Sequence, residues 1–482
     1  MSLRPLLHVI GVVVAAVGAA MLLAALVAAG YREWDDAWQI ALAAVVTVAA
    51  GLGARRFFPA PGTLSVRQGF AIVGLSWFAI SAFGSLPFLF TGTVGNLTDA
   101  FFETTAGFTT TGASIIPDPG ALGHGILIWR ALTQWLGGMG VIVLSIAVLP
   151  LLGVGGVQLA RAEAPGPAPD RLTPRFRETA KRLWLVYAVF TLAQGVLLTL
   201  GEMNLFEATA HAFATMSTGG FSTSIDSLGG YSAYSQWVVT LFMILAGTSF
   251  ALHYRALRRP AAYLESGELR LYLTILVVAS AVATVGTWSA PVGDAIRNAV
   301  FTVVSLVTTT GFVTVDYGEW VAALQILVMG LFFVGGMSGS TAGAVKPYRL
   351  GVLTSASRND VRRLIHPRGV FVARLGKEPV PEHIVESVQS FFLLYMFIFM
   401  TATLLMGFIE SGLGIGLDLV TSASAVASSL GNVGPGLGAV GPTSNYLVVP
   451  ELAKWLLSLL MIVGRLEIFP VVLLFTPELW RR

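Results

Sequence analysis

The sequence contains no cysteine and few charged side chains, and these two shortages exclude whole classes of protein. Without cysteine the chain can form no disulfide, no thiolate metal site and no thiol nucleophile. Only 11% of its 482 residues are Asp, Glu, Lys or Arg, whereas soluble domains carry about 25%. A chain that is 55% hydrophobic can neither cover a water-facing surface nor remain disordered. The remaining class is a polytopic membrane protein.

Long apolar segments recur along the chain, and about 20 apolar residues suffice to cross a bilayer. The first segment is too long for a signal peptide and a second follows it closely, so we expect it to be retained. A proline-containing linker is predicted at 161–176 and a larger basic connection at 357–383. Ten candidate spans result, of which the eighth is interrupted: 5–30, 37–54, 68–91, 125–152, 183–201, 234–254, 270–290, 320–350, 388–411 and 452–476.

Lysine and arginine are unevenly distributed among the loops. Because loops rich in these residues stay in the cytoplasm, we expect both termini to be cytoplasmic. This basicity indicates orientation and predicts no binding of nucleic acid, although the inner loops at 161–182, 253–270 and 346–377 could bind anionic lipids. With the N-terminus inside, the basic residues fall on the inner side with five exceptions: Arg32, Arg130, Arg297, Lys454 and Arg465.

Four segments between the spans resemble one another. Each is a helical stretch too short to span, followed by a polar turn whose glycine lies 13 residues after the start of the segment, although Gly431 is a rival to Gly434 in the fourth. Similarity at a fixed register predicts a repeated unit of helix, re-entrant half-helix, glycine turn and helix. The four segments are Asp99–Ser114, Glu207–Ser222, Asn298–Val313 and Thr421–Gly436. The expected domains are a two-helix unit at 1–60 and repeats at 61–160, 177–260, 267–366 and 380–482.

Non-helical backbone at membrane depth survives only where protein surrounds it or where it lines a water-filled cavity. We therefore expect the four turns to meet on one axis, where their carbonyl oxygens can replace the hydration shell of a monovalent cation. Small threonines at 109–111 and 308–310 can hold neighbouring backbone through their hydroxyl groups. The turns contain no carboxylate, which disfavours a divalent cation. One such turn alone could be an ordinary loop capped by threonine. The occurrence of four turns in the same register disfavours that interpretation.

At these turns the chain resembles the superfamily of K⁺ transporters that comprises Trk, Ktr and plant HKT proteins. It is most similar to the membrane subunit of the bacterial Trk system, which has two extra N-terminal helices that Ktr subunits lack. The resemblance implies an all-α polytopic membrane protein with four pseudo-symmetric M1–pore helix–M2 repeats around a central pore. It is carried by TTTGAS (109–114), STGGFST (217–223), TTTGFVT (308–314), GNVGPGLG (431–438), GGMSGSTAGAVKPYR (335–349) and GRLEIFPVVLLFTPELWR (464–481).

The resemblance implies potassium transport across the bacterial inner membrane and assigns the residues of a selectivity filter. In HKT relatives a serine at the first filter glycine accompanies Na⁺ permeation, so glycine in all four turns is similar to the K⁺-preferring pattern. Ala113 and Met337 depart from the usual pattern, which affects the expected gating more than the selectivity. The implied K⁺-binding residues are Thr110, Thr111, Gly112, Thr218, Gly219, Gly220, Thr309, Thr310, Gly311, Asn432, Val433 and Gly434.

Glycines interrupt the eighth span, and glycine disfavours a helix interior. Close helix packing through small residues is one interpretation, and the resemblance favours the other, a flexible gate beneath the filter. Arg465 lies near the middle of span ten, where inserting a charged side chain into the membrane costs roughly 2.5–3.5 kcal/mol. It cannot face Glu467 if both lie on one helix, because residues two positions apart point in different directions. We expect Arg465 to face the pore as a barrier to K⁺, with an ion pair to another helix as the alternative. The expected gate comprises Gly335, Gly336, Ser338, Gly339, Ser340, Thr341, Gly343 and Arg465.

Lys346 and Arg349 are expected to be anchors that extend toward the membrane surface, or else contacts with a regulatory subunit. The resemblance implies a membrane homodimer that docks on a cytosolic ring of nucleotide-binding TrkA subunits. K⁺ is then the transported ion, and this chain, which has no nucleotide motif, binds no nucleotide itself.

Two other functions remain as alternatives. A secondary transporter of an organic solute usually has a matching pair of broken helices, whereas only one span of this sequence is clearly broken. An enzyme needs paired catalytic groups, and no catalytic residue is predicted. The polar residues Glu103, His124, Arg130 and His211 are isolated in the sequence and receive no role. Channel-like flow and ion-coupled symport use the same kind of filter, and both stay open.

Overall fold

The computed structural model describes residues 4–58, 65–147, 172–288, 291–414 and 416–480, and most of them are helical. The predicted linker falls largely outside these ranges, but a helix already begins at Leu172, inside its expected extent. The helices are Arg4–Gly30, Trp34–Phe57, Val66–Gly84, Leu86–Phe90, Leu97–Phe108, His124–Ala147, Leu172–Thr199, Leu205–Met216, Ala233–Ala246, Phe250–Arg258, Ala262–Glu265, Gly267–Gly286, Val292–Val307, Ala322–Leu331, Pro347–Ile365, Glu382–Gly412, Leu419–Gly431, Glu451–Arg465, Phe469–Leu474 and Pro477–Trp480. Short 3₁₀ turns lie at Pro119–Ala121, Tyr317–Glu319, Gly438–Val440 and Tyr446–Val448, and the strands Arg374–Leu375 and Glu378–Pro379 pair antiparallel.

Within the described residues, six continuous helices are long and apolar enough to cross a membrane, and a bent pair makes a seventh span. These helices make the chain a multi-pass, mostly helical membrane protein. The continuous helices correspond to the first, second, third, fifth, seventh and ninth of the predicted spans. The fourth predicted span forms the helix His124–Ala147, beyond which residues 148–171 are outside the described part of the chain.

Within the described residues, three of the ten predicted spans are clearly interrupted, so the prediction of a single broken span was wrong. In the sixth span, Ala233–Ala246 and Phe250–Arg258 meet at 92°. In the eighth, the backbone at 332–346 is irregular; we call this segment the intramembrane loop. The tenth breaks at Glu467 and Ile468, whose φ angles are 57° and 66°. The sixth break contains Gly247, Thr248 and Ser249, and the tenth lies beside Arg465 and Glu467, but apolar residues flank both breaks, so averaged hydropathy does not reveal them.

Four short helices lie inside the protein between the spans, and we call them re-entrant helices 1 to 4. Helices 1, 2 and 4 begin with Asn96, Asn204 and Asp418, whose side chains accept a hydrogen bond from a backbone N–H of the first turn. Such caps satisfy N–H groups that have no partner within the helix. Re-entrant helix 3 follows Pro291. The four helices are Leu97–Phe108, Leu205–Met216, Val292–Val307 and Leu419–Gly431.

The re-entrant helices and the helices that follow them are arranged in a ring. Three of the four following helices pack against another re-entrant helix: His124–Ala147 against helix 2, Ala233–Ala246 against helix 3, and Glu451–Arg465 against helix 1. The last of these contacts joins the C-terminal repeat to the first. Lys454 reinforces the closure through a buried ion pair with Asp99, with Nζ and Oδ1 at 2.6 Å.

The first two helices form a hairpin beside this ring. Their closest approach is at Gly11 and Gly51, where a β-carbon on either residue would come within 3.0 Å of the carbonyl oxygen of the other. At the connection between the two helices, Glu33 accepts a hydrogen bond from His124 Nδ1 at 2.6 Å. The hairpin is therefore fixed to the repeat that follows it.

Candidate functional site

The four re-entrant helices end in the same backbone geometry. One residue in each following turn has a φ of 52–55°, and the glycine two positions later also has positive φ, from 77° to 111°. Helix C-termini commonly close with such a left-handed residue, but threonine rarely adopts it, so strain is concentrated here. Gly434 takes the glycine position in the fourth turn, and Gly431 ends the helix. The left-handed residues are Thr110, Thr218, Thr309 and Asn432, followed by Gly112, Gly220, Gly311 and Gly434.

We call residues 109–112, 217–220, 308–311 and 431–434 turns 1 to 4, and together the glycine ring. The turns touch in cyclic order, because the α-carbon of each glycine lies against a carbonyl oxygen of the next turn. A β-carbon would come within 3.0 Å of that oxygen at every one of the four positions. The successive pairs are Gly112 with Gly219, Gly220 with Thr310, Gly311 with Val433, and Gly434 with Thr111. The glycines thus permit both the positive φ and the closure of the ring.

Hydroxyl pairs support two turns that lie opposite each other in the ring. Thr109 and Thr111 Oγ1 atoms are 2.7 Å apart in turn 1, and those of Thr308 and Thr310 are 2.8 Å apart in turn 3. The sequence-based expectation that these hydroxyl groups hold neighbouring backbone agrees with the geometry, since Thr109 also donates to Thr105 O. Turns 2 and 4 contain no such pair of threonines.

On one side, the glycine ring opens into a cavity of about 110 Å³, which we call the vestibule. Gly112, Gly220 and Gly311 line its floor, and Arg130 and Tyr446 contribute to its walls. The lining contains no carboxylate side chain. The described residues also contain no cluster of three or more side chains suited to a transition metal.

A buried ion pair lies at the wall of the vestibule, and its two members are isolated from each other in the sequence. Arg130 Nε lies 2.9 Å from Glu103 Oε1, and both side chains are at most 2% exposed. Arg130 also donates to Ser222 O and Ser114 Oγ, while Glu103 accepts the N–H of Ile115. The pair therefore ties the segments that follow turns 1 and 2 together. The sequence signal for this pair is the carboxylate of Glu103 inside a short apolar helix. Because an unpaired charge is rarely buried, such a carboxylate indicates a basic partner.

On the other side of the ring lies the intramembrane loop, which contains all the predicted gate residues except Arg465. Its backbone contacts the ring directly: Gly343 N–H donates to Thr309 Oγ1 at 2.9 Å. Thr341 Oγ1 donates to Met216 O, at the end of re-entrant helix 2. Positive φ occurs at Gly335 and Gly339. The loop is therefore attached to the base of turns 2 and 3.

Other backbone groups of the loop find partners at the break in the sixth span and on the seventh span. Met337 N–H donates to Gly247 O at 2.8 Å, and Phe250 N–H donates to Gly339 O at 3.0 Å. Ser338 N–H donates to Glu268 at 2.7 Å, a contact that the sequence did not predict. Ser340 Oγ donates within the loop to Met337 O, and Gly336 packs on Gly247. Two broken helices thus satisfy each other's backbone groups, as membrane depth requires.

Arg465 joins the loop to the first repeat. Its Nη1 donates to Thr341 O at 2.6 Å and its Nη2 to Gly137 O at 3.2 Å, and the side chain is buried. Among the described residues it forms no ion pair, so the described part of the chain gives no support to the alternative of an ion pair with another helix. The role of Arg465 as a barrier to K⁺ stays a prediction.

Lys346 and Arg349 do not extend toward the surface, so their interpretation as surface anchors was wrong. Both are buried and share Glu467, with Lys346 Nζ 2.6 Å from Glu467 Oε1. Arg349 also lies over the Phe391 ring at 3.9 Å. Glu467 can face them because the helix is broken at that residue. The three side chains clamp the intramembrane loop to the end of the chain.

Comparison with known proteins identifies close relatives along the whole chain. The family model TrkH, described as a cation transport protein, matches residues 38–264 and 269–482. The chain is 40% identical to the Trk system potassium uptake protein TrkH of Halomonas elongata and 37% identical to that of Escherichia coli K12, and both alignments cover each chain completely. The crystal structure of the potassium transporter TrkH from Vibrio parahaemolyticus matches at a TM-score of 0.90 and 35% identity, covering 100% of both chains.

Replacement of Glu467 tests the clamp. Glu467→Gln leaves two buried cations without a counter-charge, and breaking a buried pair costs about 3–5 kcal/mol. We expect a clearly lower Tm of the detergent-solubilised protein, measured by intrinsic fluorescence. The matched control is Glu265→Gln, which breaks the exposed pair with Arg259 and should cost about 0–1 kcal/mol. Equal Tm values for the two variants would contradict the clamp.

Proposed function

The chain belongs to the TrkH family of cation transport proteins, and on that premise we propose that it conducts K⁺ through the centre of the glycine ring. The family is one of transporters and not of enzymes, and the function of the chain is potassium transport. The observation that carries the proposal is the cyclic packing of each turn glycine on a carbonyl oxygen of the next turn. Such an arrangement brings backbone oxygens of four repeats together at one place inside the protein.

The chemistry of the ring favours a monovalent cation. Backbone carbonyl groups can replace the hydration shell of K⁺, whereas divalent cations prefer charged oxygen ligands. Glu103, the carboxylate that contacts residues next to turn 1, is already paired with Arg130. The C-terminal ends of the four re-entrant helices, which carry partial negative charge, adjoin the ring. A cation can therefore be held without a formal negative charge among its ligands.

The proposed filter comprises the residues that follow each helix end: Thr110, Thr111 and Gly112; Thr218, Gly219 and Gly220; Thr309, Thr310 and Gly311; Asn432, Val433 and Gly434. The proposed functional units are the N-terminal pair at 1–60 and the four repeats. The ring supports this division because each repeat contributes one turn. Uptake proceeds from the vestibule, through the ring, toward the intramembrane loop.

The filter is tested by adding a single side chain to it. Gly112→Ser and Gly311→Ser each place a β-carbon against the next carbonyl group at a φ that disfavours serine. We expect at least a tenfold loss of K⁺ over Na⁺ selectivity, measured as Rb⁺ and Na⁺ fluxes into proteoliposomes and as growth of a K⁺-uptake-deficient bacterium at low K⁺.

The control variant is Gly95→Ser, because Gly95 has open space around it and no positive φ. It should keep wild-type flux and selectivity. If neither the wild type nor the wild type with its partner subunit rescues growth at low K⁺, the proposed function fails. If Gly112→Ser keeps the wild-type selectivity, the assignment of the filter fails.

The intramembrane loop and Arg465 form the proposed gate. The loop lies directly against the ring and is held in place by hydrogen bonds from Thr341 to Met216 and from Arg465 to Thr341. Its displacement would open the path beneath the filter. Arg465 contributes in two ways, since it fastens the loop and places a positive charge on the route of the ion.

Arg465→Ala removes both contributions, and we expect K⁺ flux to rise severalfold at constant protein amount. Arg465→Lys separates them: it keeps the charge but cannot bridge Thr341 O and Gly137 O as the guanidinium does. An intermediate flux is expected for it. Unchanged flux and selectivity in Arg465→Ala would remove this residue from the gate.

The chain is a multi-pass membrane protein, and its proposed location is the bacterial inner membrane with both termini in the cytoplasm. The distribution of lysine and arginine supports this orientation. In this proposed orientation the vestibule faces outward and the loop side of the ring faces the cytoplasm. Anionic lipids are the proposed partners of the exposed basic residues on the inner side.

The name Trk system implies that the relatives work as part of a complex with several components. The partners proposed for this chain are a second copy, giving a membrane homodimer, and a cytosolic ring of TrkA-like nucleotide-binding subunits. Exposed arginines on the helix Pro347–Ile365 offer a docking surface. The same helix carries Arg349 at its start, which connects that surface to the clamp and to the loop.

Copurification with a TrkA-like subunit tests this partnership. The double variant Arg358→Glu and Arg362→Glu reverses the charge of exposed side chains and should reduce copurification at least fivefold. It should also abolish any effect of added nucleotide on K⁺ flux. The mass of the purified protein in detergent tests the homodimer. Nucleotide-independent flux together with no copurification of the wild type would refute the regulatory partnership.

A further inference from the structure

Turn 2 carries a glycine that its own backbone does not require. Gly219 has no positive φ, and the equivalent positions of the other turns hold Thr111, Thr310 and Val433. Glycine is usually needed for positive φ or for a close approach of other atoms. Since φ does not explain Gly219, a close approach must.

The approaching group is the side chain of Gln134. A β-carbon on Gly219 would come within 3.0 Å of its Cδ, Oε1 and Cγ atoms. Gln134 lies on the helix His124–Ala147 of the first repeat and is fully buried. The first repeat therefore fills the space that a side chain of turn 2 would otherwise take.

The amide of Gln134 is bonded to turn 2 at both of its polar atoms. Its Nε2 donates to Gly219 O at 2.6 Å, and its Oε1 accepts the N–H of Phe221 at 3.1 Å. Gly219 O is also the oxygen against which Gly112 packs. One side chain thus fixes the peptide groups on both sides of Gly220.

The supports of the four turns alternate around the ring. Turns 1 and 3 are held by the threonine pairs described above. Turn 4 is held by an amide, since Asn432 Nδ2 donates to Thr111 Oγ1 at 3.0 Å and to Met461 O at 2.8 Å. Turn 2, whose Ser217 has no threonine two positions later, is held by an amide that another repeat supplies, that of Gln134.

We propose that Gln134 takes the place of the missing threonine of turn 2 and is a positioning residue that determines ion selectivity. The inference rests on the proposed function of the ring as a K⁺ filter. By holding Gly219 O, Gln134 sets the position of one of four oxygens whose spacing discriminates between cations. Because Gly219 O already accepts a hydrogen bond from Gln134, it attracts a cation less strongly. Turn 2 therefore stabilises the bound cation less than the other turns do.

The first test removes the amide and keeps the volume. Gln134→Met should lower the ratio of K⁺ to Na⁺ flux at least fivefold in proteoliposomes that contain equal amounts of monodisperse protein. The matched control is Gln194→Met, since Gln194 is also fully buried but has no hydrogen-bond partner among the described residues. This control should keep the wild-type ratio. An unchanged ratio in Gln134→Met overturns the proposal.

The second test is a reciprocal rescue, which a merely structural role of Gln134 would not predict. Gly219→Thr alone collides with Gln134 and should lose at least fivefold in the flux ratio or in yield. The double variant Gln134→Ala and Gly219→Thr restores a hydroxyl beside Ser217, as in turns 1 and 3, and should regain at least half of the wild-type ratio. A double variant no better than the worse single variant overturns the proposal.

The two proposals fail in different ways. If the wild-type protein shows no K⁺ flux in any form, the proposed function fails and the Gln134 variants cannot differ from it. If the wild type conducts K⁺ selectively and the Gln134 and Gly219 variants match it, the ring remains the filter. Only the role of Gln134 is then refuted.

Discussion

The arrangement of this protein depends on one steric constraint, the contact between a glycine α-carbon and the carbonyl oxygen of the next repeat. The contact occurs four times and closes on itself, so no turn can move without its two neighbours. It requires each re-entrant helix to stop at membrane depth and the following helix to pack on the next repeat. The capped N-termini, the strained threonines and the helix packing around the ring all serve to hold these four contacts.

Beneath the ring, the backbone groups that one broken helix leaves without partners form hydrogen bonds with those of another broken helix. Gly247 O and the Phe250 N–H, left free by the break in the sixth span, are satisfied by the intramembrane loop, and the loop is satisfied in return. Lys346, Arg349 and Glu467 add a charged clamp at the third break. Most of these bonds are therefore made between segments and not within them.

The sequence predicts the short helices and their glycine turns well because their signal is local. A fixed spacing to glycine locates the turns, and hydropathy locates the unbroken helices. What the sequence does not reveal depends on partners distant in the chain. Glu103 and Arg130 are separated by 27 residues, so the sequence does not reveal that they pair. Lys346 and Arg349 read as surface residues because their counter-charge, Glu467, is more than 100 residues away. The breaks at Gly247 and Glu467 are stabilised by tertiary contacts that hydropathy cannot register.

The first turn is completed from the opposite end of the chain. Asn432 reaches Thr111 across 321 positions, and Lys454 reaches Asp99 across 355. During biosynthesis the earlier repeats enter the bilayer long before these residues leave the ribosome. In a nascent chain that lacks the last repeat the ring is not closed, and the polar backbone of turns 1 and 3 lacks its contact with turn 4. Assembly is therefore governed by contacts of very high sequence separation, which form late and slowly. A truncation of a few dozen C-terminal residues therefore disrupts the first repeat to be synthesised as much as the last.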